Sequence, residues 1–154
     1  MSRAFVKESD GADGEELAEL RVSPHRNLVT EDGRRQIEEA VDRLRAELAA
    51  ARGADDRATV RRIQRDLRYW TERQRTAELV PPAPAGGKAR FGSVVLLGKP
   101  GGGELEYRIV GEDEADPARG RISYVSPISR RLIGAEAGDE IELPDGWAEI
   151  LAVR

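Results

Sequence analysis

The stretch TEDGRRQIEEAVDRLRAELAAARGADDRATVRRIQRDLRYWTERQRTA, residues 30–77, sets the architecture. In its first half Ile37, Val41, Leu44, Leu48 and Ala51 recur at alternating spacings of four and three, the a/d pattern of a coiled-coil seam. Thr30 is placed to cap this helix, and Glu31 and Asp32 put negative charge in its first turn, where the helix dipole favours it. After Arg52-Gly53-Ala54-Asp55-Asp56 the pattern resumes at Val60, Ile63, Leu67, Trp70, Gln74 and Ala77. Two helices joined by so short a loop must run antiparallel. Gly53 gives the turn its backbone freedom, and Asp55 or Asp56 caps the second helix. Arms of about 20 to 22 residues project roughly 30 Å. A hairpin this thin, with Trp70 as the sole aromatic member of its seam, buries little by itself. It must lean on a neighbouring domain at its base, near Ile37 and from Trp70 to Ala77.

Outward from the hairpin, composition agrees with a thin element attached to one small core. Of 154 residues, 35% are charged, against roughly 25% in average soluble domains, and 5% are aromatic. With no cysteine there is no disulfide framework, thiolate nucleophile or thiolate zinc site, and a single histidine, His25, cannot build a multi-histidine metal cluster. The start MSRAFVKESDGADGEELAEL is too acidic for a signal peptide, and no run approaches the roughly 20 apolar residues of a membrane span. A soluble cytoplasmic protein without a membrane partner is expected, with residues 1–29 an acidic, mobile lead-in and His25 an ordinary surface residue. The net charge of −4 hides its distribution. Residues 52–75 carry a net +4 through eight arginines, including Arg57, Arg61, Arg65 and Arg68, while the rest of the chain is acidic. Guanidinium suits bidentate contact with phosphate or carboxylate. The same run reads equally as a solvated helix face.

Pro81, Pro82, Pro84, Gly86 and Gly87 stop the second helix, so residues 30–79 read as the hairpin, residues 80–89 as a linker and residues 90–154 as a second domain. There the period changes from helical to alternating. Residues 91–97, 104–110, 121–125, 140–143 and 147–153 read as strands, and residues 98–103 as a glycine-rich hairpin loop without the ending of a phosphate loop. Ser126 before Pro127 starts a short helix that stops at Gly134. The fold class is α+β: an antiparallel helical hairpin, then a mostly antiparallel sheet curled around one short helix. Trp147 is expected in the core.

Tyr107-Arg108-Ile109-Val110-Gly111-Glu112-Asp113-Glu114-Ala115-Asp116, Ile122-Ser123, the run Ser126–Gly134 and Gly138-Asp139 together resemble the C-terminal domain of the bacterial Gre transcription elongation factors. The resemblance implies a coiled coil followed by an FKBP-like domain. It also implies RNA polymerase as partner, with the C-terminal domain docked at the rim of the secondary channel and the coiled coil inserted. Ser126, Pro127, Ile128 and Arg130 would then lie at the polymerase contact, with Asp113 and Asp116 close by. Acidic residues at the coiled-coil tip would hold a magnesium ion shared with the polymerase active site, promoting cleavage of backtracked RNA; here those are Asp55 and Asp56. The arginines Arg57, Arg61, Arg65 and Arg68 would meet nascent RNA. No cofactor of the protein's own is implied, and channel entry calls for a monomer.

The tip Asp55-Asp56-Arg57-Ala58 departs from the family's Asp-x-x-Glu-Asn-x-Glu-Tyr, and each arm is shorter by roughly two turns, about 10 Å of reach. In both respects the chain is similar to the Rnk-like, short-hairpin branch, named for regulation of nucleoside diphosphate kinase. Two outcomes stay open: a cleavage-stimulating factor, or a channel binder without cleavage. A prolyl isomerase on the FKBP-type fold would need an aromatic-lined pocket from Phe91, Tyr107, Tyr124 and Trp147, and a coiled-coil adaptor would pair its hairpin with another.

Overall fold

The computed structural model describes residues 17–154. Helix α1, Glu31–Gly53, and helix α2, Arg57–Thr76, form the expected hairpin. Both caps follow the sequence: the Thr30 hydroxyl accepts from the Gly33 amide and the Asp56 carboxylate from the Thr59 amide. Leu44, Ala51 and Ile63 are buried in the seam, with Leu48, Val60, Leu67 and Trp70 packed against them. At the base the seam departs from the heptad reading. Gln74 is exposed, and Arg73, one residue earlier, is 1% exposed. A straight helix of 3.6 residues per turn drifts from a strict heptad, and Arg73 rather than Gln74 faces the acidic partners beside the hairpin.

The lead-in differs from expectation at its inner end. Residues 1–16 lie outside the described residues, but Leu28–Val29 forms a short strand, β1, that pairs in parallel with β2, Glu78–Leu79. The buried Asn27 side chain donates to the Arg73 carbonyl at 2.7 Å and to the Thr76 hydroxyl at 3.2 Å. The chain entering the hairpin is thereby stitched to the chain leaving it.

Five strands make the second sheet in the order β5-β4-β3-β7-β6: β3 Val94–Gly98, β4 Glu104–Val110, β5 Arg121–Ser123, β6 Glu140–Leu143 and β7 Gly146–Val153. All neighbours are antiparallel except β4 with β5. Residues 91–93 turn into β3 rather than belonging to it, and β5 ends at Ser123. The β3–β4 connection uses positive φ at Gly101, Gly102 and Gly103, which explains its composition. Helix α3, Pro127–Leu132, is capped by Ser126 and packs on the sheet's inner face through Leu132 and Ile128, against Val95, Leu97, Ile109 and Ile150. The proline-rich segment is no free linker at its far end: the Gly86 amide donates to Val153, and Ala89, 2% exposed, exchanges backbone hydrogen bonds with Gly134 and Ala135. Trp147 is 60% exposed, contrary to its expected place in the core. Along β7 the alternation puts Ala148 and Ile150 inside, which leaves Trp147 on the opposite face with Glu149.

Candidate functional site

At the far end of the hairpin, Asp55 stands in the left-handed region with φ 53°, a conformation aspartate tolerates better than most residues. Its carboxylate is exposed and 3.9 Å from the equally exposed Arg57 guanidinium. Asp56 is held differently. Its Oδ1 accepts the Thr59 amide at 3.1 Å, and hydrogen bonds from the Thr59 side chain and backbone hold its carboxyl below the usual range. The two aspartates expected to share an ion thus stand in different settings, one closing the first turn of α2 and one exposed beside Arg57. Among the described residues no group of three or more acidic, histidine or cysteine side chains is arranged to hold a metal.

The four candidate RNA contacts also divide. Arg57 and Arg61 are exposed near the tip. Arg65 is half-buried and bound to its neighbour Asp66 at 2.7 Å, and Arg68 is paired with Glu19, whose carboxyl it holds below the usual range. By contrast, several arginines of α1 are balanced along their own helix, as in Arg34 with Glu38 at 2.9 Å and Arg43 with Glu47 at 3.6 Å. The unbalanced positive charge is thus concentrated on the outer half of α2.

At the base, the loop after β4 grips the hairpin. Arg73 Nε donates to Asp113 Oδ2 at 2.5 Å, the Tyr69 hydroxyl donates to Asp113 Oδ1 at 2.5 Å, and Glu112 lies 3.8 Å from Arg73. Burial first, and the bond to Asp113 second, push the Tyr69 phenol up to about 12. Glu114, 3% exposed, accepts the Thr30 hydroxyl at 2.5 Å. Gly33 leaves room for it, since a Cβ there would lie 2.6 Å from Glu114 Oε2. Gly111 likewise passes so close to the Leu28 carbonyl that no side chain fits. The Tyr124 hydroxyl donates to the Arg26 carbonyl at 2.5 Å, and Asp32 faces Arg108 at 3.8 Å. These contacts fix the direction in which the hairpin leaves the sheet. Asp113, expected near a polymerase contact, is taken up inside this clasp with its side chain 11% exposed.

The remaining docking candidates lie on α3, at its cap, and in the loop before β5. Asp116 is half-exposed and paired with Arg119 at 3.5 Å and Arg121 at 3.6 Å. Ser126 is occupied by its cap, accepting the Ser129 amide at 3.3 Å, and Ile128 packs partly into the core. Pro127 and Arg130 are exposed, next to the exposed Ile133. Phe91 and Tyr124 meet edge to face, 5.7 Å between centroids. Sequence reasoning missed the clasp residues Tyr69, Arg73 and Glu114. Only the placement of Gly33 and Gly111, each beside acidic or β-branched neighbours, hinted at a close approach.

Comparison with known proteins locates the second domain. The family model for "Transcription elongation factor, GreA/GreB, C-term" matches residues 83–154. Transcription elongation factor GreB of Pasteurella multocida is 44% identical over 90 residues, covering 56% of this chain and 57% of its own. GreA of Alkalilimnicola ehrlichii is 46% identical over 85 residues, covering 51% and 54%. The aligned region thus spans a little over half the length of these relatives. Among solved structures, the GreA factor homolog 1 of Thermus thermophilus aligns over 84% of this chain and 99% of its own, at 20% identity and a TM-score of 0.41. GreA/GreB from Nitrosomonas europaea aligns over 82% and 97%, at 20% identity and a TM-score of 0.42. Residues 83–154, which carry the Ser126–Gly134 motif, are thus similar to the C-terminal domain of the GreA/GreB transcription elongation factors.

Proposed function

We propose that this protein binds bacterial RNA polymerase in the cytoplasm as a monomer. On this reading Pro127 and Arg130 dock at the rim of the secondary channel, and the hairpin occupies the channel without stimulating cleavage of backtracked RNA. The observation that carries the reading is the division of labour at the tip: Asp56 Oδ1 is bound into the helix cap, leaving Asp55, 3.9 Å from Arg57, as the tip carboxylate with no part in the cap. Ligation of a divalent ion requires oxygens at about 2 Å, and one exposed carboxylate on a loop is a weak clamp. The ion shared with the polymerase in the cleavage reading is therefore not assigned to this tip. Arg57 and Arg61, exposed on the outer half of α2, supply positive charge for nascent RNA. The clasp supports the reading as well, since a probe inserted into a channel needs a fixed angle to the domain that docks.

A transcript-cleavage assay on stalled elongation complexes tests it. The expected result is no acceleration over polymerase alone, together with inhibition of a cleaving Gre factor added at equal concentration. Acceleration by the wild type that disappears in Asp55→Ala/Asp56→Ala would restore the cleavage reading. Co-sedimentation with polymerase, weakened by Pro127→Glu, tests the docking surface. Failure of the wild type to bind removes the proposal.

A further inference from the structure

The hairpin base covers one end of the sheet's outer face, where Asp32 meets Arg108 and Val110 is fully buried. The other end, over β7 and β6, is open. There Trp147 is 60% and Leu151 41% exposed, and Leu151 leans over Gly98, 3.3 Å from where a Cβ would stand. Around these apolar groups the register lines up carboxylates. Glu140 lies directly opposite Glu149, which opposes Gly98, which opposes Glu104, so one transverse row holds three glutamates and a glycine. Glu142 lies opposite Trp147.

Like charges directly opposite on neighbouring strands destabilise a sheet. Elsewhere the chain offsets such charge: Glu106 on the same face has Arg154 at 3.3 Å, and the clasp acids have Arg73. Among the described residues no cation pairs with Glu104, Glu140, Glu142 or Glu149, and the nearby Arg131 donates to the Glu142 carbonyl instead. An exposed tryptophan within a ring of unpaired carboxylates matches a cation carried on an apolar stem. Arginine and lysine stack on indole faces, and their charge is attracted by the surrounding acids. Nucleic acid is disfavoured because the same carboxylates repel phosphate.

We propose that this open half of the outer face, centred on Trp147, docks an arginine- and lysine-rich segment of a protein partner. The surface lies across the sheet from α3, so it is separate from the Pro127 and Arg130 contact and does not depend on it.

Trp147 itself reports on the test. The chain has two tryptophans, and Trp70→Phe leaves Trp147 as the single fluorophore. A short synthetic peptide of arginine and leucine should shift its emission saturably. Affinity should fall about tenfold in Glu140→Gln/Glu149→Gln, a pair of changes that relieves repulsion and so leaves folding intact. The same peptide with glutamate for arginine, and a short RNA, should not bind. Unchanged affinity in the glutamine variant, or equal binding of RNA, overturns the proposal. Concentration-dependent dimerisation that occludes Trp147 without peptide would also overturn it, by making a second copy the occupant.

Discussion

The hairpin joins arginine to aspartate at both ends, in opposite settings. At the base, Arg73 is 1% exposed and Asp113 11%, the pair is in direct contact, and Tyr69 completes the carboxylate's partners. At the tip, Arg57 and Asp55 are 85% and 88% exposed and 3.9 Å apart. Water screens the tip pair, so it contributes little to stability and stays available to a ligand. The base pair has lost its water, so each partner is required by the other. Charge of the same kind is architecture where it is dry and recognition where it is wet.

The widest gap between the two ends should come from removing one guanidinium. Arg73→Ala leaves Asp113 and Glu112 without their cation and should destabilise by about 3–5 kcal/mol, read as a shift in urea midpoint. Arg57→Ala should leave the midpoint unchanged. If Arg73→Met/Asp113→Leu recovers most of the loss, the pair sets direction more than it adds stability. Equal effects of Arg73→Ala and Arg57→Ala would abolish the distinction between the ends.

Glycines of α1 test the same contrast without touching charge. Gly33→Ala pushes a methyl toward Glu114 Oε2, 2.6 Å away, and should cost about 1–3 kcal/mol in thermal denaturation. Gly53→Ala, with nothing within 4 Å, should stabilise by up to about 1 kcal/mol, because alanine loses less backbone entropy in a helix.

How much of this was legible in the sequence follows from the range of the interactions. The seam from Val41 to Trp70 is local: its period is written along the helices, and the caps at Thr30 and Asp56 sit where side-chain chemistry puts them. Arg73 was not legible, because nothing near it separates it from the other arginines of α2. Its burial depends on Asp113, 40 positions away. The β1–β2 pair was hidden for the same reason, with two residues per strand and a whole hairpin between them. Trp147 is a different kind of miss. The alternation Trp147-Ala148-Glu149-Ile150 puts the indole on the glutamate's side, against the general tendency of tryptophan toward the core. At the candidate site, residue types were legible and their commitments were not. Asp113 and Asp56 look as free as Asp55 until their hydrogen-bond partners are known.

Tyr69 turns the clasp into a pH measurement. Its phenol is raised to about 12 in the fold, above its ordinary value of about 10, so the neutral form is favoured by folding. The stability this contributes is complete below about pH 10 and is lost as pH rises toward 12. Tyr69→Phe should therefore flatten the alkaline part of the stability profile and leave the profile below pH 9 parallel to wild type, about one unit under the ordinary tyrosine value. An unchanged alkaline slope would mean that the phenol is neither buried nor held against Asp113.

The smallest effect separates the neighbouring aspartates of the tip. Asp56→Ala removes the acceptor for the Thr59 amide and should fray the first turn of α2, lowering the melting temperature by less than Gly33→Ala does. Asp56→Asn, which keeps an acceptor oxygen, should recover most of that loss. Because the folded carboxyl lies below its usual range, its contribution is present above the unfolded value and is lost as pH falls through the folded one, so the Asp56→Ala difference should close in acid. Asp55→Gly should leave stability unchanged, since glycine accepts φ 53° without strain and no cap is removed. If instead both substitutions cost the same, Asp55 also holds the turn. The tip would then have no carboxylate reserved for anything outside the chain.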